Sequence, residues 1–248
     1  MKIGIIGYGF VGKATEYLLQ RTDAEIVISD PALGYEGDIS ECKYAFLCVP
    51  TPLNDNILDM SILTEVYVAL PPGVVPVVRS TIGPDQVTQF PHAIMMPEFL
   101  REQHWKEDVD DLYLPIVLGD NHSAPKLYEL IGQTEKELIL TSPFNAMMYK
   151  LARNSALAIR VGVANELHAV CERYGAQYND LQEILCADPI IGGSHWDAPG
   201  PDKKFGFGGK CLPKDLTHMA SMCYNTHNVF ETTLKQNLTW RNKNVVDG

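Results

Sequence analysis

A glycine-rich turn close to the N-terminus is the feature that most constrains the fold of this chain. The apolar segment 2–6 (KIGII) predicts a β-strand, and residues 11–21 predict an α-helix. Between them, residues 7–12 read GYGFVG, and glycines at this spacing allow a tight turn and a close approach of the backbone to a ligand. A strand, such a turn and a helix are typical of the start of a dinucleotide-binding α/β fold.

A carboxylate at the end of the second predicted strand supports this interpretation. Asp30 follows the strand 25–29 and lies 18 residues after Gly12, where it can accept hydrogen bonds from both hydroxyls of a ribose. The next residues, Pro31-Ala32-Leu33, include no arginine for a 2′-phosphate, which favours NAD over NADP. The residues predicted to bind NAD from this motif are Gly7, Gly9, Phe10, Val11, Gly12 and Asp30.

The order of apolar segments predicts an α/β region followed by a helical one. Further strands are predicted at 44–49, 74–79, 93–96 and 114–118, with a helix at 61–70. Strands that alternate with helices, several of them continuously apolar, favour a Rossmann-type, doubly wound parallel sheet covered on both faces.

The second half of the chain has a different pattern. Residues 144–174 contain no proline and one glycine, with apolar residues at helical spacing, which predicts one long spine helix. Three shorter helices are predicted around Glu183, Leu216 and Leu234, and a loop at 188–209. We therefore expect an NAD-binding domain at 1–140 and an all-helical domain at 141–248.

Composition excludes several classes of function. A net charge of −11 over 248 residues argues against a nucleic-acid partner held through phosphate contacts. Six cysteines without a C-x-x-C pair predict reduced thiols and argue against zinc, so we expect no metal. The N-terminal segment has the pattern of a strand and its turn, so we expect no signal peptide, and no apolar run is long enough to cross a membrane. These features predict a soluble cytoplasmic protein with no membrane partner.

Several short motifs fall where a ligand would bind. The sequences CVPTP (48–52), RSTIGPD (79–85) and MPEFLRE (96–102) follow predicted strands, and the carboxyl ends of strands form the ligand-binding edge of an open α/β sheet. In FGFGGKCLPKD (205–215), Cys211 stands between paired glycines and a Pro-Lys-Asp sequence. A dehydrogenase that transfers a single hydride needs no thiol, so this stretch requires a chemical explanation, although a cysteine by itself is more often a small buried packing residue.

These motifs, above all PEFLRE and GGKCLPKD, resemble those of the UDP-glucose/GDP-mannose dehydrogenase family, in order from Gly7 to Asp215. The resemblance implies oxidation of a nucleotide-sugar alcohol to the acid in two NAD-dependent steps, as in the synthesis of polysaccharide precursors. UDP-glucose is the first choice of substrate, and GDP-mannose or a UDP-N-acetylhexosamine is the alternative. The family also implies a homodimer formed through the long helix.

The resemblance gives each motif residue a role. Cys211 would attack the aldehyde formed by the first hydride transfer, giving a thiohemiacetal and then a thioester. Lys150 would polarise the alcohol and stabilise the oxyanion, to which Asn154, four residues away on the same helix face, would donate a hydrogen bond. Asp215 and Thr81 would hold a water molecule beside the lysine.

The remaining assignments also follow from the resemblance. Glu98 would be the general base of thioester hydrolysis. The further cofactor contacts implied are Pro50, Thr51, Thr81 and Lys214. The substrate contacts implied are Phe99, Leu100, Arg101, Lys150, Asn154, Phe207 and Gly208. The five cysteines other than Cys211 are expected to serve packing.

The sequence also departs from the family. Its members continue into a second α/β domain that closes over the sugar nucleotide, and this chain, which ends at Gly248, is expected to lack it. Lys210 stands where a small residue is common in the family. Its positive charge would either favour the Cys211 thiolate or compensate for missing phosphate contacts. Two other functions stay open, a two-electron hydroxyacid dehydrogenase in which Cys211 is dispensable and a non-catalytic NAD-binding protein.

Overall fold

The structure, a computed structural model, describes residues 1–120, 124–225 and 227–242. It divides into two compact units. The first comprises Met1–Asn54 and Leu58–Lys150, and the second comprises Asp55–Ile57 and Leu151–Gly248.

The first unit is built on an eight-stranded sheet. Its strands are β1 (Lys2–Ile6), β2 (Glu25–Asp30), β3 (Tyr35–Glu36), β4 (Tyr44–Leu47), β7 (Val75–Val78), β8 (Ile94–Met95), β9 (Ile116–Gly119) and β10 (Leu138–Thr141), and β5 (Leu53–Asn54) and β6 (Ile57–Leu58) form a separate hairpin. The helices are α1 (Phe10–Leu19), α2 (Ser61–Val68), α3 (Trp105–Asp110) and α4 (Pro125–Gly132). The order across the sheet is β10-β9-β8-β7-β4-β1-β2-β3.

Most of the sheet is parallel, as predicted. β1 pairs in parallel with β2 and β4, and the pairs β4–β7, β7–β8 and β9–β10 are parallel as well. Two further pairs, β2–β3 and β8–β9, are antiparallel. The Rossmann-type fold class is confirmed, with mixed pairing at these two places.

The central strand shows why continuous apolar segments form this sheet. Tyr44 and Phe46 on β4 belong to one buried cluster, whereas Ala45 and Leu47 belong to another. Successive side chains of a strand point to opposite faces, so the two clusters are the two cores on either side of the sheet. A strand buried on both faces needs apolar residues at every position, and all four residues of β4 are buried.

The sequence patterns did not predict α3, α4, β10 or the short strands β3, β5 and β6. These elements have 2–8 residues, too few for a hydrophobic period to stand out. β10 is also an edge strand with two exposed apolar residues, Ile139 and Leu140, so it lacks the pattern of a buried strand.

The second unit is helical. It contains α5 (Pro143–Tyr174) from Leu151 onward, α6 (Tyr178–Ala187), α7 (Cys211–Ser221) and α8 (Val229–Arg241), in agreement with the predicted spine helix and the three shorter ones. Residues 188–210, all of them described, form neither helix nor strand, as predicted for 188–209. Within the described part of the chain, no helix combines the length and the apolar character needed to cross a membrane.

Candidate active site

The glycine turn between β1 and α1 has the shape that a pyrophosphate requires. A Cβ atom on Gly7 would lie 2.7 Å from the Cys48 carbonyl oxygen, and one on Gly12 would lie 2.1 Å from the Gly7 carbonyl oxygen. At Gly9, by contrast, no described atom comes within 4 Å of a Cβ position. Gly7 and Gly12 therefore permit close packing, and Gly9 leaves the outer face of the turn open to a ligand.

The first turn of α1 supplies donors for such a ligand. Among the described residues, no side chain caps the helix, which begins at Phe10 with Val11 and Gly12 in its first turn. The backbone N–H groups at the start of a helix lack intrahelical partners and bind anions well. The turn and this helix end together fit the pyrophosphate of NAD.

Asp30 lies where the ribose of NAD would be bound. It ends β2, next to β1 in the sheet, and its Oδ2 atom accepts a hydrogen bond of 2.7 Å from the Tyr8 N–H group. A carboxylate has about four acceptor positions, so Asp30 can contact the turn and still accept hydrogen bonds from ribose hydroxyls. The residues present therefore fit NAD.

Replacing Asp30 by alanine is expected to raise the Kd for NAD about ten- to a hundredfold, because a hydrogen bond to a charged group contributes about 1.5–3 kcal/mol. Isothermal titration calorimetry would measure this change. Asp38→Ala is the matched control, since Asp38 is exposed and bonds within its own turn, to the Ser40 N–H group. An unchanged Kd in Asp30→Ala would contradict the assignment.

Three further cofactor candidates of the first unit follow β4 and β7, which are neighbours in the sheet. Thr51 is buried, and its hydroxyl donates a hydrogen bond of 2.6 Å to the backbone carbonyl of Thr81. Pro50 is exposed beside it. This bond joins the ends of two parallel strands at the edge of the sheet where ligands bind.

The first unit also contains a buried ion pair of two candidate catalytic residues. Lys150 is 2% exposed and Glu98 is 6% exposed. The Lys150 ammonium donates hydrogen bonds of 2.7 Å to the Glu98 Oε1 atom and 2.6 Å to the Glu98 carbonyl oxygen. The Glu98 Oε2 atom accepts a 2.7 Å hydrogen bond from the Leu100 N–H group. Both carboxylate oxygens are thus partnered, as burial of a charge requires.

This arrangement decides the charge of Glu98. Burial by itself would raise the pKa of this carboxyl, but the Lys150 ammonium, the Leu100 N–H group and the Arg79 guanidinium together hold the pKa below its ordinary value. Glu98 is therefore a carboxylate at neutral pH. It fixes the position of the Lys150 ammonium in a place from which water is largely excluded.

The other residues of the PEFLRE motif are placed differently from one another. The Phe99 ring is buried, with its centroid 5.9 Å from the Lys150 Nζ atom and 5.1 Å from the Tyr149 ring centroid. Arg101 bonds to Asp108, with 2.6 Å between its Nη2 atom and Oδ1 and 2.9 Å between Nε and Oδ1. The predicted substrate contact Arg101 thus already has an anionic partner.

A charged residue that the sequence interpretation left without a role is Arg79. It is 5% exposed, and its Nε atom has no hydrogen-bond partner among the described residues. Burial lowers the pKa of Arg79, and the nearby Cys48 and Glu98 partly offset this. Burial also raises the pKa of the Cys48 thiol to about 11, so this cysteine stays neutral. The sequence signal that could have pointed to Arg79 was a basic residue directly after the apolar segment of β7.

The second unit brings together three other candidates. Asp215 is 1% exposed, and its Oδ2 atom accepts a 2.6 Å hydrogen bond from the amide of Asn154. Its Oδ1 atom lies 2.9 Å from the Lys214 Nζ atom and forms an ion pair with it. Neither of these two atoms forms a hydrogen bond with the described residues. Buried polar atoms of this kind are where a bound water or ligand group is expected.

Cys211 is the first residue of α7, four positions before Asp215, so both lie on one face of this helix. It is half-buried, and the N-terminus of a helix favours negative charge, which suits a thiolate. The predicted substrate contacts Phe207 and Gly208 precede it, and the Phe207 ring is buried in a cluster with Ala158, Val161 and Leu216.

All six cysteines are reduced. Cys42 and Cys171 are buried, in agreement with the expected packing role. Cys186 is exposed on α6, so the prediction of a packing role is wrong for this residue. The sequence pattern around Cys186 is that of an ordinary amphipathic helix and did not distinguish its exposed face.

Comparison with known proteins finds similarity to one family. Residues 145–240 match the central domain of the UDP-glucose/GDP-mannose dehydrogenase family. The UDP-glucose 6-dehydrogenase of Rickettsia felis is 27% identical over 265 residues, which cover 96% of this chain and 56% of the relative. This chain therefore spans little more than half the length of that relative.

Two solved structures have the same fold. A UDP-D-ManNAc dehydrogenase from Pyrococcus horikoshii superimposes with a TM-score of 0.80 at 18% identity, covering 97% of this chain and 69% of the other. A UDP-glucose dehydrogenase from Pyrobaculum islandicum gives a TM-score of 0.79 at 21% identity, with 97% and 67% covered. NAD is the cofactor of the family in which these motifs occur. The match at residues 145–240 and these relatives make the chain similar to the UDP-glucose/GDP-mannose dehydrogenase family.

Proposed function

We propose that this chain catalyses the NAD-dependent four-electron oxidation of a nucleotide sugar, with UDP-glucose as substrate and UDP-glucuronate as product. The observation that carries the proposal is the arrangement on α7, where the half-buried Cys211 shares a face with the buried Asp215, itself bonded to Asn154. A binding module needs no nucleophile at a helix N-terminus beside a buried carboxylate.

The proposed reaction has four balanced steps. The primary alcohol loses a hydride and a proton and becomes an aldehyde. The Cys211 thiol adds to the aldehyde carbon, so that a C–S bond and a thiohemiacetal form. Loss of a second hydride and a proton gives a thioester. Water then adds to the thioester, the C–S bond breaks, and a carboxylate and the free thiol result. Each bound NAD accepts one hydride, so two NADH form for each sugar.

The buried charges suit this chemistry. The Lys150 ammonium, held by Glu98, would stabilise the oxyanion of each tetrahedral intermediate, and electrostatic stabilisation of this kind is a large part of catalysis. Because its pKa lies below the ordinary value, Glu98 is a weak base. Positioning of Lys150 is therefore the better supported role for Glu98, and general-base catalysis of hydrolysis remains the second proposal.

The remaining site residues have proposed roles as well. Asn154 would donate to the oxyanion, and Asp215, whose Oδ1 atom lacks a hydrogen bond to the described residues, would hold the water with Thr81. Lys214 would contact the cofactor. Residues 1–140 would bind NAD, and residues 141–248 would carry the nucleophile.

Exposed side chains on α5 and the state of the cysteines bear on how this chain assembles and where it acts. The long helix α5 exposes apolar side chains, Val163, Val170 and Tyr174, and we propose that it forms a homodimer. Reduced cysteines fit a reducing cytoplasm.

A substrate panel tests the proposed function. With NAD present, UDP-glucose is expected to give NADH faster than GDP-mannose, UDP-N-acetylmannosamine or a simple hydroxyacid. The name of the Rickettsia felis relative supports this order, and that of the Pyrococcus horikoshii neighbour makes the N-acetylated sugar the second candidate. Reduction of NAD by the hydroxyacid alone would favour a two-electron dehydrogenase. NAD binding without any turnover would favour a non-catalytic protein.

A further inference from the structure

Two buried asparagines that the proposed reaction does not use contact the same short stretch of backbone. Asn165 on α5 is fully buried, and Asn237 on α8 is 9% exposed. Asn165 bonds to Gly206 and Asn237 bonds to Phe207, and both of these residues lie in the irregular segment 188–210. Phe207 is four residues before Cys211, so the asparagines act on the segment that leads into the nucleophile.

Three hydrogen bonds hold this stretch. The Gly206 N–H group donates to the Asn165 Oδ1 atom at 2.9 Å, and the Phe207 N–H group donates to the Asn237 Oδ1 atom at 2.7 Å. The Asn237 Nδ2 atom donates in return to the Phe207 carbonyl at 3.0 Å. One side-chain amide thus pairs with both polar groups of Phe207, as a neighbouring strand would, and satisfies backbone that is buried.

Further contacts fix Asn165 on α5 and the approach of Gly206 to Asn237. The Asn165 Nδ2 atom donates a 2.7 Å hydrogen bond to the Val161 carbonyl, one turn earlier on α5. Gly206 has a φ of +74°, and a Cβ atom there would lie 2.4 Å from the Asn237 Oδ1 atom. Only glycine allows both this conformation and this approach. The position of Gly206 against α8 is therefore specified closely.

We propose that Asn165 and Asn237 are positioning residues that set the place of the Cys211 thiol, an inference that rests on the proposed role of Cys211 as nucleophile. Between Phe207 and Cys211 stand Gly208, Gly209 and Lys210. A glycine pair is the most flexible of linkers, so a thiol beyond it keeps a fixed position only if the chain is anchored on both sides.

Both anchors are present in this unit. After Cys211, α7 is held by Leu216, which is fully buried in the cluster with Phe207. Before it, the asparagines hold the backbone of Gly206 and Phe207. A displacement of about 1 Å can cost a reaction about a hundredfold, so the anchor before Cys211 controls whether the thiol reaches the aldehyde.

This role predicts a specific defect. The first hydride transfer does not involve the thiol, whereas the second requires its addition to the aldehyde. A misplaced Cys211 would let the aldehyde leave before it is captured. Loss of the anchor should therefore lower the yield of NADH per sugar from two toward one, with free aldehyde in solution.

The test compares Asn237→Leu with the unaltered chain. Loss of the two hydrogen bonds to Phe207 is expected to speed amide exchange at Gly206 and Phe207 and the alkylation of Cys211 by iodoacetamide about tenfold. Site-resolved mass spectrometry measures both rates without substrate. The NADH yield with UDP-glucose is measured in parallel.

Two further variants make the test specific. Asn237→Asp keeps the acceptor for the Phe207 N–H group and loses the donor, so an intermediate effect is expected, and this variant decides the question should Asn237→Leu fail to fold. Tyr178→Phe removes a different buried hydrogen bond of the same unit, 2.6 Å to the Trp196 carbonyl, and is expected to leave all three readouts unchanged.

The outcomes separate this inference from the proposed function. Unaltered exchange, alkylation and NADH yield in Asn237→Leu would overturn the positioning role. An unaltered chain that forms no NADH with any nucleotide sugar would contradict the proposed function, while the exchange and alkylation rates would still decide whether the asparagines position Cys211.

Discussion

Cys211→Ala is expected to lower the rate of acid formation by roughly 10³-fold or more, since loss of a covalent nucleophile costs this much or more in other enzymes. Without the thiol, no thiohemiacetal forms, and the second hydride has no adduct from which to leave. The first oxidation needs no thiol, so the variant should release the aldehyde slowly. A single-turnover experiment with product analysis by mass spectrometry would measure both products.

A second cysteine provides the control. Cys186→Ala alters an exposed thiol on α6, whose Sγ atom lies 3.6 Å from the Gly193 carbonyl oxygen, and it is expected to keep the rate of the unaltered chain. If Cys211→Ala formed acid as fast as Cys186→Ala, the thioester route would be excluded. The two-electron dehydrogenase would then be the better account.

Lys150→Met is expected to lower the free energy of unfolding by about 3–5 kcal/mol at neutral pH, because it leaves the buried Glu98 carboxylate without its counter-ion. Activity should fall as well, since the oxyanion would lose its cation. The double variant Glu98→Gln with Lys150→Met removes both charges and should recover much of the lost stability. Denaturant unfolding monitored by circular dichroism would measure each difference.

The stability of the unaltered chain and that of Lys150→Met should change with pH in opposite directions. In the unaltered chain the pKa of Glu98 is lower when folded than when unfolded, so the carboxylate stabilises the fold above about pH 4.3, the ordinary glutamate value. This contribution is lost as the pH falls through the folded pKa. In Lys150→Met, burial is no longer offset by the ammonium, the pKa should rise, and stability should increase on acidification from neutral pH.

An exposed ion pair gives the matched control. Lys235→Met breaks the pair with Glu231 on α8, in which the lysine side chain is 69% exposed, and such pairs contribute less than about 0.5 kcal/mol. Equal losses of stability in Lys150→Met and Lys235→Met would show that the buried pair of Glu98 and Lys150 contributes no more to stability than an exposed pair.

The sequence predicted the parts of the molecule that have a strong local pattern. The glycine turn, the apolar strands β1, β2 and β4, and the long helix α5 each carry a period or a motif that few other structures share. Cys211 was singled out by its surroundings in the sequence, and the structure places it at the start of α7.

What the sequence did not predict depends on contacts between distant residues. The antiparallel pairing of β8 with β9 rests on one residue pair, Met95 with Gly119, for which no local pattern exists. The ion pair of Glu98 with Lys150 joins residues 52 positions apart, and the asparagine contacts to Gly206 and Phe207 span 30 to 41 positions. Burial of a polar side chain against such a partner is a tertiary property, so Arg79, Asn165 and Asn237 gave little signal.

The most direct test of the account is the amount of NADH formed from a limiting quantity of UDP-glucose, with the reaction run to completion in excess NAD. The account predicts two NADH for each sugar and UDP-glucuronate as the product. One NADH for each sugar, with the aldehyde as the final product, would contradict the four-electron oxidation through Cys211.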